Sequence, residues 1–171
     1  MSGVFDVRAA RRDEAAALAN LHVEVWRETY ADLAPAEAYR ALDVTKRLPY
    51  WETALASADP LTGALVATDG ASHAAVLSYG HPTEPQMTGA VEIKHCYVHR
   101  QFRGHGLGRR MLEVAFAHLR SNGATQAALA VVQENDAARR FYKSMGGQET
   151  GRFTDPGPLW RSTNCLVTWW L

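Results

Sequence analysis

The stretch His99–Arg110, which reads HRQFRGHGLGRR, determines how the rest of the chain is interpreted. It holds four arginines, two histidines and three glycines at alternate positions, and it holds no acidic residue. A strand-like run ending at Val98 precedes it and a helix-like run from Met111 follows it, so the glycines fall at a strand-to-helix turn. Glycine allows a positive φ, and the start of a helix offers unpaired N–H groups with a partial positive charge. The stretch therefore predicts a phosphate-binding loop, the alternative being a tight turn with a solvated basic face.

The spacing of the glycines excludes two common phosphate-binding loops. A P-loop has a lysine and a hydroxyl residue after its last glycine, whereas Arg109 and Arg110 follow Gly108. The dinucleotide fingerprint G-x-G-x-x-G needs a third glycine where this chain has Arg109 or Met111. Nucleoside triphosphates and NAD are therefore not the expected ligands.

The same residues fit the pattern R-x-x-G-x-G between Arg103 and Gly108, after a strand that ends in Tyr97-Val98. This pattern resembles the acetyl-CoA loop of the GNAT N-acetyltransferases. The resemblance implies that acetyl-CoA is the cofactor, used as a co-substrate, and that its pantetheine arm lies against Cys96 and Val98. It also implies that the CoA pyrophosphate is bound by the loop residues Arg103, Gly104, His105, Gly106, Leu107, Gly108 and Arg109.

A second match, in the run 133–147, is similar to the N-x-x-A-x-x-x-Y helix of the same family. Asn135, Ala138 and Tyr142 share one helical face by their spacing. The resemblance implies that this face lines the cofactor cleft, with the Tyr142 hydroxyl near the thioester sulfur. The alternative is that Tyr142 is a half-buried core aromatic residue. The match departs from the family at Gly147, where an aromatic residue is usual.

Composition favours one domain, residues 1–171, without a linker or an internal repeat. Eighteen basic and 18 acidic side chains give a formal charge of zero, which argues against a nucleic-acid or anionic-membrane partner. Cys96 and Cys165 form no C-x-x-C pair, and the chain shows neither a signal-peptide pattern nor an apolar run of bilayer length. A reducing cytoplasm is therefore the expected location, and no metal site is expected.

Hydrophobic periodicity and turn residues predict elements in the order βααα-βββ-αβ-αββ, which is the order of the GNAT family. Helices are predicted over residues 13–30, from residue 35, and over residues 45–58, 107–122 and 135–145. Strands are predicted over residues 5–8, 64–68, 74–79, 91–98, 127–132, 148–153 and 162–170. The expected fold class is α/β (α+β): a mixed, mostly antiparallel, twisted sheet of about seven strands with helices on both faces.

Acetyl transfer to an amine needs a base, because a lysine-like amine has a pKa near ~10.4 and is protonated at neutral pH. The candidates beside the cofactor strand are Glu92, His95 and His99. Strict alternation places Glu92 on the same strand face as Cys96 and Val98. The chain also resembles histone-type GNAT enzymes, which have a Glu base at the position that corresponds to Glu92. Glu92 is therefore the predicted base, acting directly or through water. The alternative is a strand carboxylate paired with a lysine or an arginine.

Tyr142 is the predicted acid that protonates the departing CoA thiolate, so Glu92 and Tyr142 form the predicted catalytic pair. The amine is expected to attack the thioester directly in a ternary complex. In the rival mechanism Cys96 carries the acetyl group, although a strand cysteine is usually a small core residue.

The acceptor is a small-molecule or peptide amine, which Trp26, Tyr30 and Glu92 are predicted to bind. His22, Trp26 and Tyr30 recur at helical spacing, and the alternative is that this stripe packs on the sheet. The first helix resembles that of a GNAT subgroup that includes polyamine acetyltransferases, which makes a polyamine-like small amine the first choice. A homodimer is compatible with the Trp169-Trp170 end. The alternative function is a non-catalytic acyl-CoA-binding or sensing module, which keeps the loop and lacks the base.

Overall fold

The computed structural model describes residues 4–171, and this range forms seven strands and five α-helices. The strands are β1 (Asp6–Ala9), β2 (Gly63–Thr68), β3 (His73–Gly80), β4 (Val91–Val98), β5 (Gln126–Val132), β6 (Gln148–Thr154) and β7 (Thr163–Trp170). The helices are α1 (Ala15–Tyr30), α2 (Ala36–Ala41), α3 (Val44–Ala56), α4 (Leu107–Ser121) and α5 (Asp136–Ser144). The order is the one expected from the sequence.

The seven strands form one sheet with the order β1-β2-β3-β4-β5-β7-β6. Every neighbouring pair is antiparallel except β4 and β5. These two central strands are parallel, and they pair only where Val91 meets Ala127 and Glu92 meets Ala128. The predicted fold class is confirmed, and the short β4–β5 ladder leaves the middle of the sheet open beyond Glu92.

The two faces of the sheet are covered by different helices. Helices α4 and α5 pack on one face, where Leu112 and Leu119 are fully buried. Helices α1 and α3 pack on the other face, where Leu18 and Trp51 are fully buried. Burial of each such apolar side chain contributes roughly 1.5–3 kcal/mol, so both helix layers are held to the sheet mainly by packing. Among residues 4–171, no helix has the length and the apolar character required to cross a membrane.

The beginning of α1 is fastened to the sheet by the carboxylate of Glu14, which is 5% exposed. The guanidinium of Arg8, on β1, donates to both carboxylate oxygens at 2.7 and 2.9 Å. The backbone N–H of Arg11 donates at 2.7 Å, and Nε2 of His73, on β3, lies 2.9 Å away. The hydrogen bond from Arg8 is the main reason why the pKa of Glu14 lies far below its ordinary value. A buried charge with this many partners is a structural anchor.

The departure from the family at Gly147 has a packing explanation. A Cβ at Gly147 would lie 2.6 Å from the Val167 side chain and 2.8 Å from the Trp169 ring. Trp169 is 4% exposed, and its Nε1 donates to the carbonyl of Met145 at the end of α5. The indole of β7 therefore occupies the space next to Gly147, where a side chain would otherwise lie.

Candidate active site

The separation of β4 from β5 opens a cavity of about 570 Å³ in the middle of the sheet. Its walls include residues 93–98 of β4, residues 129–131 of β5, the loop before α4, and the faces of α1 and α5 that point toward the sheet. Because these β4 residues have no strand partner on the β5 side, backbone N–H and C=O groups on that edge are free to contact a ligand. The cavity passes through the sheet from the α4 and α5 side to the α1 side.

The glycine loop forms the end of the cavity on the α4 side. Gly104 has a φ of +80° and Gly106 a φ of +73°, a region that other residues rarely adopt. A Cβ at either position would meet open space, so the backbone is accessible there. Gly106 is the N-cap of α4. The first N–H groups of this helix, which have no partner within the helix, therefore lie next to the loop. The loop fits an anionic ligand such as a pyrophosphate, bound by backbone donors at the positive end of a helix.

The third glycine has a different role. A Cβ at Gly108 would lie 3.0 Å from the ring of Phe141, which is on α5. Glycine at this position lets α4 and α5 approach each other closely, and both residues line the cavity. Gly108 therefore shapes the cavity through helix packing.

Some polar side chains of the loop line the cavity, and others form hydrogen bonds within the loop. Arg103 and Arg109 line the cavity, as the sequence suggested. The Nε of Arg103 donates to the Val98 carbonyl at 3.0 Å, and this guanidinium also lies 3.6 Å from Glu28. His105 is not part of the cavity wall, because its Nδ1 is hydrogen-bonded to the Arg103 carbonyl at 2.9 Å. The His105 side chain therefore does not point into the cavity wall, and only its backbone N–H belongs to the loop that faces the ligand position.

Helix α5 brings Asn135, Ala138 and Tyr142 to the cavity. Asn135 is the N-cap, and its Oδ1 accepts the N–H of Ala138 at 3.2 Å. Tyr30, a residue of α1, lines the same cavity. The start of α5 and the end of α1 therefore border one cavity.

Tyr142 and Cys96 both line the cavity, and each side chain affects the pKa of the other. Burial is the main cause that raises the pKa of Tyr142 well above its ordinary value, with Cys96 as the next contributor. Burial also raises the pKa of Cys96 to about 12. Both groups are therefore protonated at neutral pH, so Tyr142 has a proton to donate and Cys96 is not a thiolate.

A β-bulge in β4 corrects the predicted face of Glu92. Ser78 pairs with His95 and Tyr79 pairs with Ile93, so Lys94 is an extra residue on β4. Beyond the bulge the alternation is reversed: Cys96 packs on the α4 face with Ile93, not with Glu92. The prediction that Glu92 shares a face with Cys96 and Val98 was wrong.

The carboxylate of Glu92 is engaged next to the bulge rather than in the cavity wall. Its Oε2 accepts the ammonium of Lys94 at 2.7 Å and the backbone N–H of Thr83 at 3.0 Å. The side chain is 12% exposed. This arrangement is the paired strand carboxylate that the sequence left open as the alternative.

The two histidine candidates are placed differently. His95 is one of the residues that line the cavity, and its Nδ1 lies 2.7 Å from Ser78 Oγ. His99 does not line the cavity; its Nε2 is 2.9 Å from Glu24 and its Nδ1 accepts the N–H of Gln101. His99 therefore ties the loop to α1, and His95 is the titratable ring that a ligand in the cavity can reach.

The aromatic stripe of α1 is divided between the core and the cavity mouth. His22 is 3% exposed and packs on the sheet, with its ring centre 4.5 Å from that of His95. Trp26 and Tyr30 are partly exposed, with ring centres 5.1 Å apart. Trp160, in the loop between β6 and β7, lies 5.3 Å from Tyr30 and 6.0 Å from Trp26. Of these three rings Tyr30 lines the cavity, and Trp26 and Trp160 pack beside it outside the cavity wall.

Comparison with protein families matches residues 16–146 to the acetyltransferase (GNAT) family. The chain belongs to the GNAT acetyltransferase family. It is therefore an acyltransferase by family, as the sequence predicted. Comparison with functionally curated proteins found no match.

Solved structures of other GNAT proteins share the fold over nearly the whole chain. YncA from Salmonella typhimurium, solved with its cofactor acetyl-CoA, is 20% identical with a TM-score of 0.74, covering 98% of this chain and 94% of its own. The PaiA N-acetyltransferase from Thermoplasma acidophilum, solved with coenzyme A, is 13% identical with a TM-score of 0.73, covering 97% and 99%. The ribosomal-protein-alanine N-acetyltransferase from Brucella melitensis is 20% identical with a TM-score of 0.74, covering 97% and 99%. At these identities the likeness shows the fold.

Several residues in or next to this GNAT cavity had no signal in the sequence. Residues 129–131 of β5 and Trp160 were not among the predicted site residues, and Ser78 behind His95 was not singled out either. An apolar strand and a tryptophan in a proline-rich loop look like ordinary core or surface features. Within the described part of the chain, no group of three or more His, Cys, Asp or Glu side chains is placed to hold a metal ion.

Proposed function

We propose that this GNAT protein transfers the acetyl group of acetyl-CoA to a primary amine, which attacks the thioester directly in a ternary complex. One observation carries the proposal: a single cavity crosses the sheet, with an anion-binding loop at one end and aromatic side chains at the other. Two substrates that enter from opposite ends can meet beside β4. Such an arrangement suits direct transfer, because it holds the reacting atoms close together.

Acetyl-CoA fits the α4 end of this cavity. The backbone of Gly104 and Gly106, with the guanidinium of Arg103, would hold the pyrophosphate. The free edge of β4 beside Cys96 and Val98 would hold the pantetheine arm, and its backbone N–H groups would polarise the thioester carbonyl. The thioester would then lie in the part of the cavity where Tyr142 is found.

Tyr142 is the acid that this arrangement favours. A CoA thiolate held in the cavity shares the buried environment that raises the pKa of Cys96 to about 12. It is therefore a stronger base there than in water, which compensates for the raised pKa of Tyr142. The same argument disfavours Cys96 as an acetyl carrier, because the thiol rather than the nucleophilic thiolate is present. A base role for Glu92 stays a prediction and requires a bridging water, since its carboxylate lies outside the cavity wall.

The acceptor proposed is an amine with a cationic or apolar body, with polyamine-like small amines as the first choice. Trp26, Tyr30 and Trp160 offer ring faces that bind such a body by cation–π and apolar contacts. Two acids at this end are already partnered, because Glu24 contacts His99 and Glu28 lies near Arg103. The aromatic rings, more than surface acids, therefore support this choice.

The wider setting is also part of the proposal. The single sheet supports one domain over residues 1–171. The two cysteines are unpaired, which favours a reducing cytoplasm. Trp170 is 75% exposed at the end of β7 and is compatible with a homodimer contact.

The test is a thiol-release assay. The purified protein is incubated with acetyl-CoA and a diamine, a polyamine, an amino acid or a peptide with a free N-terminus, while free CoA thiol is followed. We expect release that depends on the amine, and an acetylated amine in the mass spectrum. Acetyl-CoA binding without release for any amine would instead support a non-catalytic acyl-CoA-binding module. An acetylated enzyme formed without amine would contradict direct attack.

A matched pair of arginine variants checks the placement of the cofactor. Arg103→Ala removes a cation from the cavity wall, and we expect acetyl-CoA to bind about tenfold more weakly. Arg100→Ala removes an exposed cation from the same loop outside the wall and is expected to leave binding within about twofold. Equal effects of the two variants would mean that only the overall charge of the loop matters.

A further inference from the structure

His95 connects the cavity to a chain of hydroxyl groups behind it. His95 is one of the residues that line the cavity, and its Nδ1 lies 2.7 Å from the Oγ of Ser78. The same Oγ lies 2.9 Å from the hydroxyl of Tyr50. Ser78 is 0% exposed, whereas Tyr50 is partly exposed. These three side chains form a continuous hydrogen-bonded path from the cavity, through a fully buried hydroxyl, to a side chain that reaches the surface.

We propose that His95 takes the proton of the attacking amine and passes it through Ser78 to Tyr50. The proposal rests on the acetyl transfer proposed above, and it assigns the first proton transfer to His95 rather than to Glu92. With Nδ1 bonded to Ser78, Nε2 is the ring nitrogen left for a substrate in the cavity. A neutral imidazole with hydrogen on Nδ1 has its lone pair on Nε2 and can accept there.

The proton balance of this relay closes. The ammonium group of the acceptor loses one proton to Nε2 of His95, and the neutral amine nitrogen then forms a bond to the acetyl carbon. Nδ1 releases its proton to Ser78 Oγ, Ser78 releases its hydroxyl proton to Tyr50, and Tyr50 releases one to water. As the carbon–sulfur bond breaks, the CoA sulfur keeps the electron pair and takes the proton of Tyr142. The second N–H proton, which the nitrogen loses as the amide forms, restores Tyr142. One proton is thus moved from the ammonium group to water in each turnover, and no further reactant is required.

The surroundings of His95 explain why a proton accepted by its ring is passed on to another group. Burial, followed by the neighbouring His22, Arg47 and Lys94, holds the pKa of His95 well below its ordinary value. The ring is therefore neutral at pH 7 and ready to accept a proton, but it is a poor place to keep one. The titratable or charged side chains around it are His22 from α1, Arg47 and Tyr50 from α3, and Lys94 and Tyr97 of its own strand. None of these is a carboxylate, and the path through Ser78 to Tyr50 is a hydrogen-bonded outlet from the ring.

The test compares Ser78→Ala and Tyr50→Phe with Tyr79→Phe. The first two variants cut the path while leaving His95 in place. Tyr79→Phe removes a buried hydroxyl of the same strand on the other face, where Tyr79 packs in the α4 cluster. Each variant is assayed for kcat with the best amine acceptor between about pH 6 and about pH 9, and for acetyl-CoA Kd.

For Ser78→Ala and Tyr50→Phe we expect kcat to fall about 10- to 100-fold, with the acetyl-CoA Kd within about twofold of the wild type. Their kcat should also rise with pH where that of the wild type and Tyr79→Phe is level, because hydroxide must then collect the proton. An unchanged kcat and pH profile in both variants overturns the relay, and Tyr50→Phe alone decides if Ser78→Ala does not fold. If the wild-type protein releases no thiol with any amine, the proposed function is wrong, and the relay that rests on it is overturned with it.

Discussion

The loop end and the acceptor end of the cavity are built from different parts of the chain. The loop end consists of consecutive residues between Val98 and Arg109, and the groups proposed to bind an anion there are mostly backbone N–H groups. The acceptor end combines α1 with Trp160, which comes 130 positions after Tyr30 in the sequence. A site made of backbone N–H groups tolerates many side chains, but its geometry depends on the φ angles of the loop. A site made of side chains depends on how distant segments of the chain pack together. Substitutions should therefore affect the two ends through different measurements.

The largest effect is expected where the two ends meet, at Tyr142. Tyr142→Phe keeps the buried ring and removes the proton donor, so kcat should fall about 100-fold. The acetyl-CoA Kd should stay within about twofold, because the loop is unchanged. A parallel loss of kcat and cofactor affinity would show that Tyr142 is a packing residue and not the acid. Steady-state kinetics with calorimetric binding separates the two outcomes.

Glu14 tests whether the acceptor end depends on the anchoring of α1. Because the folded-state pKa of Glu14 is depressed, its contribution to stability is present above its unfolded pKa of about 4.3 and is lost as pH falls toward the folded value. We expect Glu14→Gln to lower the free energy of unfolding by about 2 kcal/mol at pH 7. The difference from wild type should shrink steadily below about pH 4. Urea unfolding across this pH range checks it, and a difference independent of pH would contradict the assignment.

At the loop end, the decisive property is the positive φ of Gly106. Gly106→Ala should weaken acetyl-CoA binding about tenfold, because alanine strains a backbone held at a φ of +73°. Gly70, in the turn between β2 and β3, has a φ of +92° and open space around it, so Gly70→Ala carries a similar strain outside the cavity. Both variants should lose about 1 kcal/mol of stability, and only Gly106→Ala should lose cofactor affinity. Equal cofactor binding by the two variants would mean that the loop backbone does not hold the anion.

The smallest effect is expected for the aromatic rim. Trp160→Ala should raise the KM for the amine about fivefold without changing the acetyl-CoA Kd, because it removes one ring face from the acceptor end. Trp170→Ala is the control, since this exposed indole lies at the opposite end of β7. If Trp160→Ala leaves the KM unchanged for every amine, the aromatic rings are not part of the acceptor site.

The same contrast explains which site residues were recognisable in advance. The glycine loop and the Asn135–Tyr142 face were predicted and line the cavity, except for the His105 side chain. Such motifs are visible because the spacing within one turn or one helix fixes which residues lie together. The face of Glu92 was wrong because one bulged residue, Lys94, reverses the alternation on which the prediction depended. A bulge of this kind arises from pairing with β3 and leaves no signal in the strand's own sequence.

Local order along the chain determined the fold class, the strand and helix order, and the glycine loop for which we propose anion binding. These features depend on hydrophobic period, on turn residues and on glycines at fixed spacing, all of which act over a few residues. Tertiary structure alone decided that β4 and β5 separate after Glu92, that His95 lies on a path through Ser78 to Tyr50, and that Trp160 joins the end of α1. These contacts join segments far apart in the sequence, and their geometry follows from strand register and helix packing, which only the assembled core fixes.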